Sequence, residues 1–390
     1  MLAVLLAAPG PALTACGHGE SASNDSSGRG QTITVVPGDG SRNVPTDRRI
    51  EVKVSSGRLV RVTVTRVADS ARTPVAGGIA ADGRSWRPRE DRPLPLGSRY
   101  VVDALARDEQ GRRTARHATF ATRVPAHRFV GYFRPEQGST VGTGMIVSFD
   151  FNQPITRRAE VERAITVTAR PPVAVAAHWF GDRRLDFRPR ERWRPGTDVA
   201  VRLHLRDVQG APGFYGTQDK TVRFRIGRDQ VSTVDAVTHT MVVRRDGRVL
   251  AKLPITAGRE ATPTYNGKMV VLERRRVTRM DGDTVGFGGE YDIPDVPHAL
   301  RLTRSGTFLH GNYWAPRATF GHTNASHGCV GLRDEQSGRA DTPAAWFFEH
   351  SLIGDTVEVV RSPDRVVAPD NGLGGWNMPW AQWRAGSALR

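Results

Sequence analysis

The chain is 390 residues long, more than one ordinary hydrophobic core accommodates, so several domains are expected. Hydrophobic residues make up 38% and charged residues 25%, a globular balance, and no apolar run approaches the roughly 18 residues that cross a bilayer as a helix. The net charge of +16 is carried almost wholly by arginine, scattered over strand-like and turn-like segments with no groove-reading motif, which argues against a nucleic-acid partner.

Residues 1–15 hold an apolar stretch from Leu2 to Leu13 and lead into Leu13-Thr14-Ala15-Cys16, which resembles the lipobox of a bacterial signal peptide with Cys16 as the lipidated residue. The stretch lacks the Lys or Arg of an ordinary export signal; a translation start upstream of Met1 would account for that. Residues 16–30, rich in Ser, Gly and Asn, read as a flexible tether. The expectation is an exported lipoprotein on the outer face of the cytoplasmic membrane. Cys329 then has no disulfide partner, and a lone thiol in an exported chain needs a reason.

From residue 31 onward, short alternating runs bounded by Gly and Pro predict strands, as in Ile50-Glu51-Val52-Lys53-Val54 and Val199-Ala200-Val201-Arg202-Leu203. An internal repeat runs through them. Trp86-Arg87-Pro88 is echoed by Phe187-Arg188-Pro189, Arg107-Asp108-Glu109-Gln110-Gly111 by Arg206-Asp207-Val208-Gln209-Gly210, and Pro37…Gly40-Ser41 by Pro135…Gly138-Ser139. The offsets of 98 to 101 residues equal one immunoglobulin-like domain. Residues 31–124 and 125–229 are therefore expected to be two tandem immunoglobulin-like β-sandwiches in a mainly β protein, spacing modules without a catalytic grouping. A third, β-rich domain is expected over 230–361, with strands at 230–243, 248–256 and 268–277. Its clearest helix candidate is 341–350, where Asp341 or Thr342 caps, Pro343 takes the first position and Gly354 closes. The tail, 362–390, carries Trp376, Trp380 and Trp383 and is expected to pack on that domain, a glycan-stacking surface being the alternative.

The segment that carries chemistry is His310-Gly311-Asn312-Tyr313-Trp314 followed by Asn324-Ala325-Ser326-His327-Gly328-Cys329-Val330-Gly331. A cysteine nucleophile needs a base to take its proton, N–H donors for the oxyanion, and tight backbone approach, which glycine allows. An unpaired Cys in Ser-His-Gly-Cys, with a second His 19 residues upstream, meets those needs. Zinc is the other chemistry open to His310, His322, His327 and Cys329, but their spacing fits no common zinc pattern.

This segment resembles the L,D-transpeptidase family, of the actinobacterial lipoprotein type, whose signature is a His, a spacer of this length and then Ser/Thr-His-Gly-Cys. The resemblance implies Cys329 as nucleophile and His310 as the base of a thiolate–imidazolium pair, with the Gly311 carbonyl orienting the ring. It implies that Ser326 and His327 fix the nucleophile loop and that the Gly328 and Cys329 N–H groups receive the oxyanion. Tyr291 is placed on a flap, Trp314 at the pocket, and Asn312 among the substrate contacts. The family carries Asn two residues after the Cys where this chain has Gly331, which puts one pocket-side hydrogen bond in question. The implied activity is 3→3 cross-linking of peptidoglycan stem peptides through a thioester, with release of D-Ala, no cofactor or metal, and carbapenem β-lactams as covalent inhibitors. A monomer is expected. Two rivals stand beside it: an L,D-carboxypeptidase that uses water as acceptor, and a non-catalytic wall-binding lipoprotein.

Overall fold

The computed structural model describes residues 31–68, 71–285, 288–339 and 341–389. The Cys16 expectation and the tether lie outside these residues. The chain divides into two compact units that meet at Val124 and Pro125.

The described part of the first unit, 31–124, is a sandwich of two four-stranded sheets. One holds Ile33–Val36, Glu51–Val54, Ser85–Pro88 and Gly77–Ile79; the other holds Ala71–Pro74, Arg58–Ala68, Arg99–Arg107 and Arg113–Ala121. Alternation fills the space between them. Val52, Tyr100, Val102, Ala106 and Phe120 face inward and are nearly inaccessible, and the Tyr100 and Phe120 rings stack at 4.8 Å.

The second unit contains a second four-on-four sandwich, with Gly131–Arg134, Val147–Phe151, Arg184–Pro189 and Val175–Phe180 over Thr140–Val141, Asp219–Ile226, Asp198–His204 and Ile165–Arg170. The repeat seen in the sequence is thus a repeat of architecture.

The third expected domain is one nine-stranded sheet. Its order is Gly267–Val270, Thr356–Val360, Gln230–Asp235, Thr240–Arg245, Arg248–Thr256, Val330–Arg333, Phe308–Asn312, Asp292–Arg301, Glu273–Asp281. Two expected strands are each divided. The run 230–243 turns back at 236–239, where His239 takes a left-handed φ of 50°. The run 268–277 breaks at Val271 and Leu272, and its halves form opposite edges of the sheet. Only two residues join those edges, so the sheet curls round a core of Val234, Met241, Ile255, Met269, Leu309, Val330, Leu332, Val357 and Val359. The helix forms as expected, over Pro343–Glu349. Thr342 is its cap, the hydroxyl accepting the Ala345 N–H at 3.2 Å, and Phe347 and Phe348 enter the core.

The tail departs from the expectation. Trp383 is fully buried in the core of the second sandwich, its indole N–H donating to the Ala176 carbonyl at 3.0 Å, and Trp376 donates to the Gly144 carbonyl at 2.7 Å. The guanidinium of Arg188 lies 4.8, 5.2 and 4.5 Å from the Trp376, Trp380 and Trp383 rings and donates to the Met378 carbonyl at 2.9 Å. Burial lowers Arg188 to about 10, which still leaves it a cation at neutral pH. Asn377 ties the same tail to the catalytic sheet through both the N–H and the carbonyl of Lys268, at 2.8 Å each. The tryptophan faces close on an arginine of the sandwich, so the tail packs on the second sandwich in addition to the catalytic sheet, and its rings are turned to Arg188.

Candidate active site

The strands Phe308–Asn312 and Val330–Arg333 run parallel, with Leu309 opposite Val330 and His310 opposite Gly331. Side chains alternate between faces, so Leu309 and Val330 enter the core and the other face is left to His310 and Cys329, the latter one residue before its strand begins. Residues 19 apart in the chain are thus brought onto the same face of neighbouring strands, two rungs apart.

The Cys329 sulfur accepts the Phe308 N–H at 3.4 Å and donates toward the Gly306 carbonyl at 3.6 Å. His310 is 4% exposed. Its Nδ1–H donates to the Gly311 carbonyl at 2.9 Å, which leaves the lone pair on Nε2, the arrangement a base requires. Trp314, 43% exposed, stacks on the imidazole with ring centres 5.6 Å apart. Burial pushes the Cys329 thiol up to about 11, against a smaller lowering by the Phe308 N–H, and burial also lowers His310. Taking both groups out of water disfavours both charged forms, while the Gly311 carbonyl and Asp334 favour the imidazolium.

The nucleophile loop is held from below by the end of the Arg248–Thr256 strand and the turn after it. The Thr256 hydroxyl accepts from Ala325 N–H and donates to the Thr323 carbonyl, while Ser326 exchanges backbone hydrogen bonds with Ala257 and Arg259. The Ser326 hydroxyl donates to the Cys329 carbonyl at 2.6 Å and accepts the Gly328 N–H at 3.2 Å. Ser326 thus fixes the loop as expected. Gly328, at φ +111°, needs to be glycine, and in this structure its N–H donates to the Ser326 hydroxyl. His327 contacts Glu290, Nε2 to carboxylate 3.1 Å, and its ring lies 5.1 Å from that of Tyr291. Tyr291 is pushed up to about 12, first by burial and then by the charge of Cys329. Asn312 is buried, its side-chain oxygen accepting the Ala315 N–H at 3.0 Å, and so braces the turn below Trp314.

Gly331 is explained by the same neighbours. A Cβ there would lie 2.9 Å from the Thr256 methyl and 3.3 Å from the Asn312 amide nitrogen, so the space the family fills with Asn is occupied from the side. Residues absent from the sequence reading complete the surroundings. Glu290 joins Arg259 at 3.0 Å to His327, and a buried pair, His298 and Asp334 at 2.7 Å, stands behind Gly311. His298 interrupts an apolar run, the one signal that pointed at it; Asp334, in Leu332-Arg333-Asp334-Glu335, reads as surface.

Residues 41–209 match the family described as bacterial Ig domain, and residues 229–359 match the L,D-transpeptidase catalytic domain. The chain is 36% identical over 361 residues to L,D-transpeptidase 2 of Mycobacterium tuberculosis, covering 91% of this chain and 85% of that one. It is 30% identical over 364 residues to L,D-transpeptidase 5 of the same species, covering 92% and 77%. The protein belongs to the L,D-transpeptidase family. A solved LD transpeptidase in complex with imipenem is 28% identical and aligns over 60% of this chain and 100% of its own, with a TM-score of 0.49.

Proposed function

We propose that this transpeptidase makes 3→3 peptidoglycan cross-links with Cys329 as the acyl-carrying nucleophile. The observation that supports it is the thiol seated beside the Phe308 N–H with His310, its Nε2 lone pair free, on the neighbouring strand face. In this reading His310 Nε2 takes the thiol proton as sulfur attacks the carbonyl between the third residue and the terminal D-Ala of a tetrapeptide stem. The Cys329 N–H receives the oxyanion. The C–N bond breaks, His310 returns the proton to the leaving amine, and D-Ala departs to leave a thioester. The side-chain amine of an acceptor stem attacks that thioester, loses a proton to His310, and releases the thiol. A carbapenem enters the same cycle as an acyl donor whose adduct stays on sulfur. The Arg-rich charge suits an anionic wall as neighbour.

Mass spectrometry of the purified protein with a disaccharide-tetrapeptide tests this. A dimer lacking one D-Ala is expected, and the Cys329→Ala variant is expected to give neither dimer nor imipenem adduct. A tripeptide without dimer would assign the site to hydrolysis, and an unchanged donor would end both readings.

A further inference from the structure

Behind the base lies a buried charge that the scheme above does not use. Asp334 is 6% exposed and follows the Val330–Arg333 strand. Its Oδ2 meets His298 Nδ1 at 2.7 Å; its Oδ1 accepts the Thr342 hydroxyl at 2.7 Å and the Glu335 N–H at 2.9 Å. A Cβ on Gly311 would fall 2.0 Å from Oδ2, so the carboxylate occupies the place where residue 311 would carry its side chain. Gly311 is glycine, with an ordinary backbone, because Asp334 stands there. His298 reaches Asp334 from within the Asp292–Arg301 strand at φ +50°, a left-handed conformation that costs a non-glycine residue on the order of 1 kcal/mol and persists where surroundings enforce it.

We propose that Asp334, held by His298 and Thr342, is the positioning residue of this site: its carboxylate fixes the Gly311 peptide that steers His310 and supplies the negative charge against which His310 accepts the thiol proton. The inference rests on His310 being the base. The other groups facing His310 are Cys329 in front and the neutral indole of Trp314 over its face; Tyr313 is turned onto Asp295 at 2.6 Å. Around the pair itself, Phe348 lies against the His298 ring, with the Arg274 guanidinium on its far side 4.5 Å from the ring centre. Burial lowers His310; the Gly311 carbonyl opposes that first and Asp334 second, as the side-chain charge that does so.

Two measurements separate this proposal from the reading beneath it. Imipenem acylation of the full-length protein reports whether Cys329 and His310 work at all. NMR titration of His310 in a Cys329→Ala background reports the pair. Asp334→Asn preserves shape and is expected to move the His310 titration to lower pH and to slow acylation about tenfold, the equivalent of one unit of pKa, with drug binding before acylation unchanged. His298→Asn tolerates the left-handed backbone and keeps a donor to Asp334, so the His310 titration should not fall. If Asp334→Asn folds and leaves the titration and the acylation rate as in the parent, the proposal is overturned. If it fails to fold, a fall in the His310 titration with His298→Asn, where the carboxylate is retained, overturns it instead.

Discussion

At Cys329 the chemistry and the environment pull in opposite directions. In the proposed cycle the sulfur attacks a carbonyl, yet burial pushes its thiol up to about 11 and lowers the proposed base, His310. Thiol-directed reagents should accordingly find the enzyme sluggish at neutral pH. Iodoacetamide alkylation is expected to stay slow at neutral pH and to rise toward pH 11, not to show an inflection below the ordinary thiol range of about 8.5. His310→Ala should change that profile little and yet lower imipenem acylation by about 10²–10⁴-fold, the span of general-base contributions. An alkylation inflection near neutrality in the wild type, lost in His310→Ala, would establish the ion pair. The motif residues themselves were legible because lone thiols and their histidines are rare and their spacing is local. Asp334 and His298 were not, because a carboxylate and an imidazole 36 residues apart become partners only through the sheet.

Elements show the same limit. The helix at Pro343–Glu349 announced itself through cap and proline, which are local signals. The break at Val271 and Leu272 did not, since both residues are apolar and extend the run Met269-Val270 that predicts one strand; only closure of the curled sheet demands the corner there. The hairpin of Glu273–Asp281 and Asp292–Arg301 carries Glu290 and Tyr291 at its far end, and Glu290 fastens that end to Arg259 and His327. Glu290 is half exposed, so its pairs contribute at most about 1 kcal/mol. Glu290→Gln should accordingly leave the melting temperature nearly unchanged while amide exchange at 288–291 quickens. Unaltered exchange there would show that the hairpin end is held by Tyr291 packing alone.

For the whole molecule, the sequence boundaries at 124 and 229 are not equivalent. Val124 ends a unit with its own core, whereas the joint near 229 is crossed by the Arg228–Asp355 pair at 3.0 Å, by Arg184 donating to the Asp370 carbonyl at 2.6 Å, and by the buried Trp383. A chain beginning at 125 should fold and be acylated by imipenem. One beginning at 230 strips the sandwich from three tryptophans and should be insoluble or molten, which circular dichroism and a melt would register. A cooperative melt from the 230–390 fragment would make the sandwich a mere spacer, as its repeat had suggested.

The clasp of Arg188 by the last tryptophans also orders events in time. Domains fold as they are synthesised, from the N-terminus onward. The first sandwich has all its parts once residue 124 is made. The second completes its core later, because that core includes Trp383, which follows the whole catalytic sheet along the chain. Closure of the sandwich is thereby coupled to the laying down of the sheet behind it.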